Sequence, residues 1–122
     1  MKNILVIDDE EGIRIAVAEY LRDSGFEVYE AANFEDSVEV LKAKKLDLVI
    51  TDIQMPGLSG IDVIQRCEWL YPNIPIIVLA GATSLGANEK ILNSKKSVKC
   101  FFAKPVNLKE INNMVNSILD IS

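Results

Sequence analysis

The sequence alternates short runs of Ile, Val and Leu with longer segments whose apolar residues recur at helical spacing. This rhythm is typical of βαβ units around a mostly parallel sheet. We predict five strands, three of which are continuously apolar because helices cover a parallel sheet on both faces. The predicted strands are residues 3–7, 27–30, 48–51, 76–79 and 99–102.

Five helices are predicted between and after these strands. Gly25 is a typical helix stop after the first, while Asn33, Ser59 and Asn107 are typical caps of the second, third and fifth. The fourth helix, within residues 84–96, has the weakest apolar pattern, so we expect it to be mobile or to face a partner. Right-handed crossovers place every strand-to-helix loop at the carboxyl edge of the sheet, where functional side chains are expected.

Composition excludes several classes of function. The 122 residues are sufficient for one globular domain, spanning 1–122, and the net charge of −5 disfavours binding to nucleic acid or an anionic membrane. The chain has no histidine, so it offers no imidazole base, imidazole metal ligand or phosphohistidine. Its apolar start lasts only four residues before a run of acids, unlike a signal peptide, and we predict a cytoplasmic protein.

Charged side chains follow three of the predicted strands. Asp8 and Asp9 follow the first strand, Asp52 the third and Lys104 the fifth. Taken singly, such acids are also common at helix starts and turns. Together, carboxylates roughly 5 Å apart would repel by about 3 kcal/mol per pair, so the cluster calls for a counter-ion. An all-oxygen set favours Mg²⁺, and a carboxylate beside Mg²⁺ and a lysine is suited to forming an aspartyl phosphate.

Three motifs stand at these strand ends: Asp8-Asp9, Asp52-Ile53-Gln54-Met55-Pro56-Gly57-Leu58-Ser59-Gly60 and Lys104-Pro105. In this order and spacing they resemble the DD, DxxMPxxxG and KP signatures of the response-regulator receiver domains of two-component signalling, a CheY-like superfamily. The resemblance covers essentially the whole chain. It implies an α/β fold with a doubly wound, flavodoxin-like, five-stranded parallel sheet in the order 2-1-3-4-5 and helices on both faces.

The resemblance also implies how the chemistry is divided among these residues. Asp52 would be the phosphoacceptor, and Lys104 would pair with the phosphoryl oxygens. The Lys104–Pro105 peptide bond would be cis and would direct Lys104 inward. Mg²⁺ would be held directly by Asp9, mainly through water by Asp8, and by Asp52 and the main-chain carbonyl of Gln54.

The implied partner is a sensor histidine kinase or phosphotransfer protein that supplies a phosphohistidine. The chain would be a phosphoacceptor signalling domain and not an enzyme that acts on a separate substrate. An output domain, a partner protein and a homodimer are all left open.

Two positions expected to carry the conformational switch differ from the family pattern or are ambiguous. Ala80 stands at the end of the fourth strand, where receivers usually have Thr or Ser to bond the phosphoryl group. Thr83 and Ser84 are the nearest hydroxyls along the chain. Phe101 falls at the aromatic switch position, and it is equally compatible with a permanently buried core side chain.

Two competing functions follow from these observations. The first is a receiver whose phosphorylation at Asp52 alters the face formed by the fourth helix, fifth strand and fifth helix. The second is a receiver-fold interaction module with weak or no switching, motivated by Ala80. A flavin carrier is disfavoured because four acids follow the first strand. A haloacid-dehalogenase phosphatase would need a Ser or Thr soon after that strand, and none occurs before Ser24.

Overall fold

The computed structural model describes residues 1–55 and 58–119. Its strands are β1 (Asn3–Ile7), β2 (Glu27–Ala31), β3 (Leu48–Asp52), β4 (Gln54–Met55), β5 (Leu58–Ser59), β6 (Ile76–Ala80) and β7 (Val98–Ala103). Its helices are α1 (Glu11–Asp23), α2 (Phe34–Ala43), α3 (Gly60–Leu70), α4 (Ala82–Ser94) and α5 (Leu108–Ile118).

The main sheet has five strands in the order β2-β1-β3-β6-β7, and every neighbouring pair is parallel. This is the predicted 2-1-3-4-5 order, so the doubly wound α/β fold is confirmed. The additional strands β4 and β5 form a two-stranded antiparallel ribbon directly after β3. The ribbon was not predicted, because two-residue strands leave no alternation to detect.

Helices cover both faces of the sheet, and β1 illustrates the division of the core. Leu5 and Ile7 belong to one buried cluster, which includes residues of α2, α3 and α4. Ile4 and Val6 belong to the other, which includes residues of α1 and α5. Because successive side chains of a strand point to opposite faces, the four apolar residues of β1 supply both clusters.

Local signals explain where several helices begin or end. The side-chain oxygens of Asn33 and Asn107 accept hydrogen bonds from the backbone N–H groups of Asp36 and Glu110, which confirms both predicted caps. Gly25 has a φ of 100°, a left-handed conformation that suits glycine just beyond the end of α1. The side chain of Ser59, the third predicted cap, lies outside the part that the structure describes.

The predicted strands after the first each end one residue too early, and the predicted starts of the fourth helix and of the last strand are also too late. Helix α4 begins at Ala82, two residues before the predicted segment, because Gly81 with extended backbone starts the helix without a polar cap. Strand β7 begins at Val98 and is only half-buried, as expected for an edge strand.

Within the described ranges, no helix combines the length and apolar character that a membrane crossing requires.

Candidate functional site

The aspartates that follow β1 and end β3 lie side by side at the carboxyl edge of the sheet. Parallel register sets Ile7 opposite Thr51, so the two strands end at the same level. Asp8 is fully buried and Asp52 is 1% exposed. Buried carboxylates need hydrogen-bond donors or cations around them, and backbone N–H groups supply some of these donors. The N–H of Glu10 donates to Asp8 Oδ1 over 2.9 Å, and the N–H of Gln54 donates to Asp52 Oδ1 over 2.8 Å.

Lys104 reaches this pair of carboxylates from the end of β7. Its backbone N–H donates to the carbonyl of Ala80 over 2.8 Å, and the Lys104–Pro105 peptide bond is cis, as the family resemblance implied. Its Nζ lies 3.0 Å from Asp52 Oδ2 and 3.2 Å from Asp8 Oδ2. The lysine side chain is only 12% exposed, so it is a built part of the site and not a solvated surface cation.

Glu10 also contacts this lysine and was missed by the sequence analysis. Its Oε1 lies 2.7 Å from Lys104 Nζ, the shortest of the three carboxylate contacts. Carboxylate oxygens of Asp8, Glu10 and Asp52 all lie within 4.8 Å of one another, and we call these three residues the acidic site. The position of Glu10 two residues after Asp8 explains the bond from its N–H to the Asp8 carboxylate, but it gives no signal that the Glu10 side chain contacts Lys104.

Asp9, the predicted direct magnesium ligand, does not join the acidic site. It is exposed, and among the described residues the group of close carboxylate oxygens comprises only the three named above. Gln54 lies next to the site, since its N–H bonds to Asp52. The metal-ligand roles of Asp9 and of the Gln54 carbonyl remain predictions.

The surroundings of Asp8 and Lys104 shift the pKa of each of these two groups. Burial and the charge of Asp52 raise the pKa of Asp8 to about 6, against the opposing effects of the Glu10 N–H and of Lys104. Burial alone would lower the pKa of Lys104, but its hydrogen bonds to Glu10 and Asp52 raise that pKa above its ordinary value. The ammonium therefore stays charged at neutral pH and offsets part of the repulsion among the acids.

The acidic site fits a hard divalent cation by its donor chemistry. All three side chains offer carboxylate oxygens, the ligand type that Mg²⁺ prefers. Asp8 Oδ2 is buried and accepts no hydrogen bond, and its ion pair with Lys104 over 3.2 Å leaves it able to bind a metal ion. The two buried members, Asp8 and Asp52, could hold such an ion, and it would supply positive charge to phosphoryl oxygens.

The two expected switch positions lie beside this arrangement. Ala80 is fully buried at the end of β6, pairs with Ala103 in the sheet and offers no hydroxyl. Phe101 is half-buried and packs against the core cluster that includes α4 residues. Thr83 lies exposed in the first turn of α4, and Ser84 is half-buried with its carbonyl bonded by Asn88. The switch roles of Ala80 and Phe101 remain predictions.

Comparisons with known proteins identify the family of the chain. The family model for the response regulator receiver domain matches residues 4–116. Sporulation initiation phosphotransferase F of Bacillus subtilis is 31% identical over 121 residues, covering 98% of this chain and 95% of that protein. The probable transcriptional regulator ycf29 of Cyanophora paradoxa is 33% identical, and this chain spans 57% of its length.

A solved structure extends the comparison. The response regulator protein TrrA of Thermotoga maritima, in complex with Mg²⁺-BeF, has a TM-score of 0.82 and 30% identity, covering 97% of this chain and 99% of that one. The matched model spans nearly the whole chain, and the buried strand-end aspartates and lysine lie within it. The chain therefore belongs to the response regulator receiver domain family of two-component systems.

Proposed function

We propose that this receiver accepts a phosphoryl group on Asp52 and uses Mg²⁺ and Lys104 to do so. The single observation that carries the proposal is the contact between Asp52 Oδ2 and Lys104 Nζ inside a nearly buried acidic site. A carboxylate beside a fixed ammonium can accept a phosphoryl group, because the cation neutralises charge on the phosphoryl oxygens as they approach.

The proposed step forms one bond and breaks one. An Asp52 carboxylate oxygen attacks phosphorus while the bond from phosphorus to the donor's leaving atom breaks, and the leaving group departs with that electron pair. The backbone N–H of Gln54 holds Asp52 Oδ1, which leaves Oδ2 on the side of the lysine. Lys104 thereby orients both the acceptor and the incoming group.

Magnesium completes this proposal. Asp8 and Asp52 would hold the ion, with Asp9 and the Gln54 carbonyl as further predicted ligands, and the ion would neutralise phosphoryl charge when bound. The complex of Thermotoga maritima TrrA with Mg²⁺-BeF supports this assignment by similarity, since beryllofluoride imitates a phosphoryl group. Asp8 supports it physically, because its buried Oδ2 accepts no hydrogen bond and shares the Lys104 ammonium with two other carboxylates.

The proposed phosphoryl donor is a histidine kinase or phosphotransfer protein. The chain has no histidine, so a phosphohistidine must come from another protein or from another region of a longer one. The output is proposed to be a partner protein or an output domain that senses the α4, β7 and α5 face. A cytoplasmic location, a homodimer and a lack of direct nucleic-acid binding remain predictions.

Labelling with acetyl phosphate tests the proposal directly. With Mg²⁺ present, the protein should gain one phosphate that survives acid and is removed by base, the behaviour of an acyl phosphate. Asp52→Asn should gain none, whereas Asp23→Asn, an exposed acid at the end of α1, should label like the wild type. Equal labelling of Asp52→Asn, or no labelling of the wild type, would refute the assignment.

A further inference from the structure

Glu10 differs from the other two carboxylates that contact Lys104 in how it is held. Asp8 and Asp52 are buried residues at strand ends, and each has one oxygen fixed by a backbone N–H. Glu10 stands at the N-cap of α1, its side chain is 58% exposed, and it makes no capping hydrogen bond. Its carboxylate is therefore committed to the lysine and not to its own helix.

The three contacts use the full donor capacity of the ammonium. A lysine has three N–H donors. Its Nζ donates to Glu10 Oε1 over 2.7 Å, to Asp52 Oδ2 over 3.0 Å and to Asp8 Oδ1 over 3.5 Å. A phosphoryl oxygen can bind this ammonium only if one carboxylate gives up its place.

Glu10 is the contact that is easiest to release. Its carboxylate faces water and can be rehydrated, while the buried aspartates cannot leave without breaking their backbone hydrogen bonds. Its negative charge also stands on the solvent side of the lysine, where it opposes an approaching phosphate anion.

We propose that Glu10 is a positioning residue that holds Lys104 from the solvent side and must release it before a phosphoryl group can bind. This inference rests on the proposed phosphoacceptor function. Glu10 thereby slows entry of the phosphoryl group while keeping the lysine aimed at Asp52. Removing the contact should speed phosphorylation and strengthen binding of a phosphoryl mimic.

Two substitutions separate the contact from the charge. Glu10→Gln keeps the length and removes the charge, whereas Glu10→Asp keeps the charge and is one methylene too short for the same contact. Glu11→Gln is the matched control, because Glu11 is an exposed acid at the start of α1 that does not contact the lysine. The wild type and the three variants are compared at saturating Mg²⁺ for acetyl phosphate labelling rate and for beryllofluoride affinity.

Both Glu10 variants should label roughly two- to fivefold faster than the wild type, the range expected for loss of one exposed ion pair. Their beryllofluoride affinity should rise by a similar factor, and the Lys104 Nζ resonance should shift in the free protein. Glu11→Gln should match the wild type in all three measurements. A structural role alone would not change beryllofluoride affinity in this direction.

Other results would overturn the inference. If the Glu10 variants label at or below the wild-type rate while calorimetry shows weaker Mg²⁺ binding, Glu10 is a metal ligand. If Glu11→Gln labels equally fast, only the general negative charge matters. If the wild type labels and the Glu10 variants do not differ from it, this inference alone fails. If the wild type and all the variants fail to label, the phosphoacceptor function fails with it.

Discussion

Lys104 Nζ lies 3.0 Å from Asp52 Oδ2, although 52 residues separate the two along the chain. Parallel strands bring them together, because β3 and β7 lie on either side of β6 and end at the same edge of the sheet. Among the described residues, Lys104 is the cation that forms ion pairs with the buried carboxylates of Asp8 and Asp52.

Replacing Lys104 by Met should destabilise the protein when no divalent ion is present. Met keeps much of the side-chain volume but leaves Asp8 and Asp52 without their ammonium, and breaking a buried pair costs about 3 kcal/mol. Urea unfolding in EDTA at pH 7.5 measures the loss. Added Mg²⁺ should recover part of it, about 1.4 kcal/mol at ten times the dissociation constant.

The matched control for this substitution is Lys109→Met, which changes an exposed lysine on α5. Its free energy of unfolding should stay close to that of the wild type. If both variants lose the same stability, Lys104 does not act as the counter-ion of the buried aspartates.

Asp8→Asn should stabilise the protein in a pH-dependent way. Burial raises the pKa of Asp8 from 3.8 to about 6, so between these values the folded protein keeps a proton that the unfolded chain has lost. The contribution of Asp8 to stability therefore falls as pH rises through this window, by about 3 kcal/mol at most. The variant cannot ionise at this position, so its free energy of unfolding should rise relative to that of the wild type over the same pH range.

This difference is measured by urea unfolding in EDTA at several pH values. It should be near zero below pH 4 and constant above pH 6, following the two pKa values of Asp8. Asp23→Asn, at an exposed position, serves as control and should show little change. A gain for Asp8→Asn that does not vary with pH would contradict the assigned titration.

Ala80→Ser should strengthen the response of the α4 face to phosphorylation. Ala80 is buried at the end of β6 and cannot bond a phosphoryl group, whereas a hydrogen bond to a charged group contributes about 1.5 to 3 kcal/mol. Amide chemical shifts of α4 and of Phe101 with and without beryllofluoride report the response. The serine variant should show larger shifts than the wild type.

Two outcomes bear on the alternative of a non-switching module. Large amide chemical-shift changes in α4 of the wild type on adding beryllofluoride would exclude that alternative. They would also show that switching does not need a hydroxyl at position 80. Shifts confined to the acidic site in both proteins would show that Ala80 is not what limits switching. Ala82→Ser, at an exposed position of α4, controls for the added hydroxyl.

Asn33→Ala should lower the free energy of unfolding by about 1 kcal/mol. Asn33 caps α2, since its side-chain oxygen accepts the Asp36 N–H over 2.8 Å, and alanine leaves that N–H without this partner. Asn93→Ala, at an exposed position within α4, should not destabilise the protein, because alanine has the higher helix propensity there. Equal losses in thermal or urea unfolding would argue against the cap.

Much of the fold could be predicted from local pattern. The apolar runs within β1, β3 and β6 indicated strands covered on both faces, and Asn33 and Asn107 marked their helices by capping chemistry. The short ribbon of β4 and β5 and the start of α4 were not predicted, since two-residue strands and an uncapped helix leave little signal in the sequence.

The chemistry of the site divides in the same way. The sequence placed Asp8, Asp52 and Lys104 at strand ends, because the periodicity of apolar residues locates the strands. Right-handed crossovers bring those strand ends to one edge of the sheet, and the family resemblance supplied the strand order. Tertiary structure alone decided that Glu10, and not Asp9, contacts Lys104, which is 94 residues away. The direction of an exposed side chain depends on which distant charge lies within its reach, and no local pattern encodes that distance.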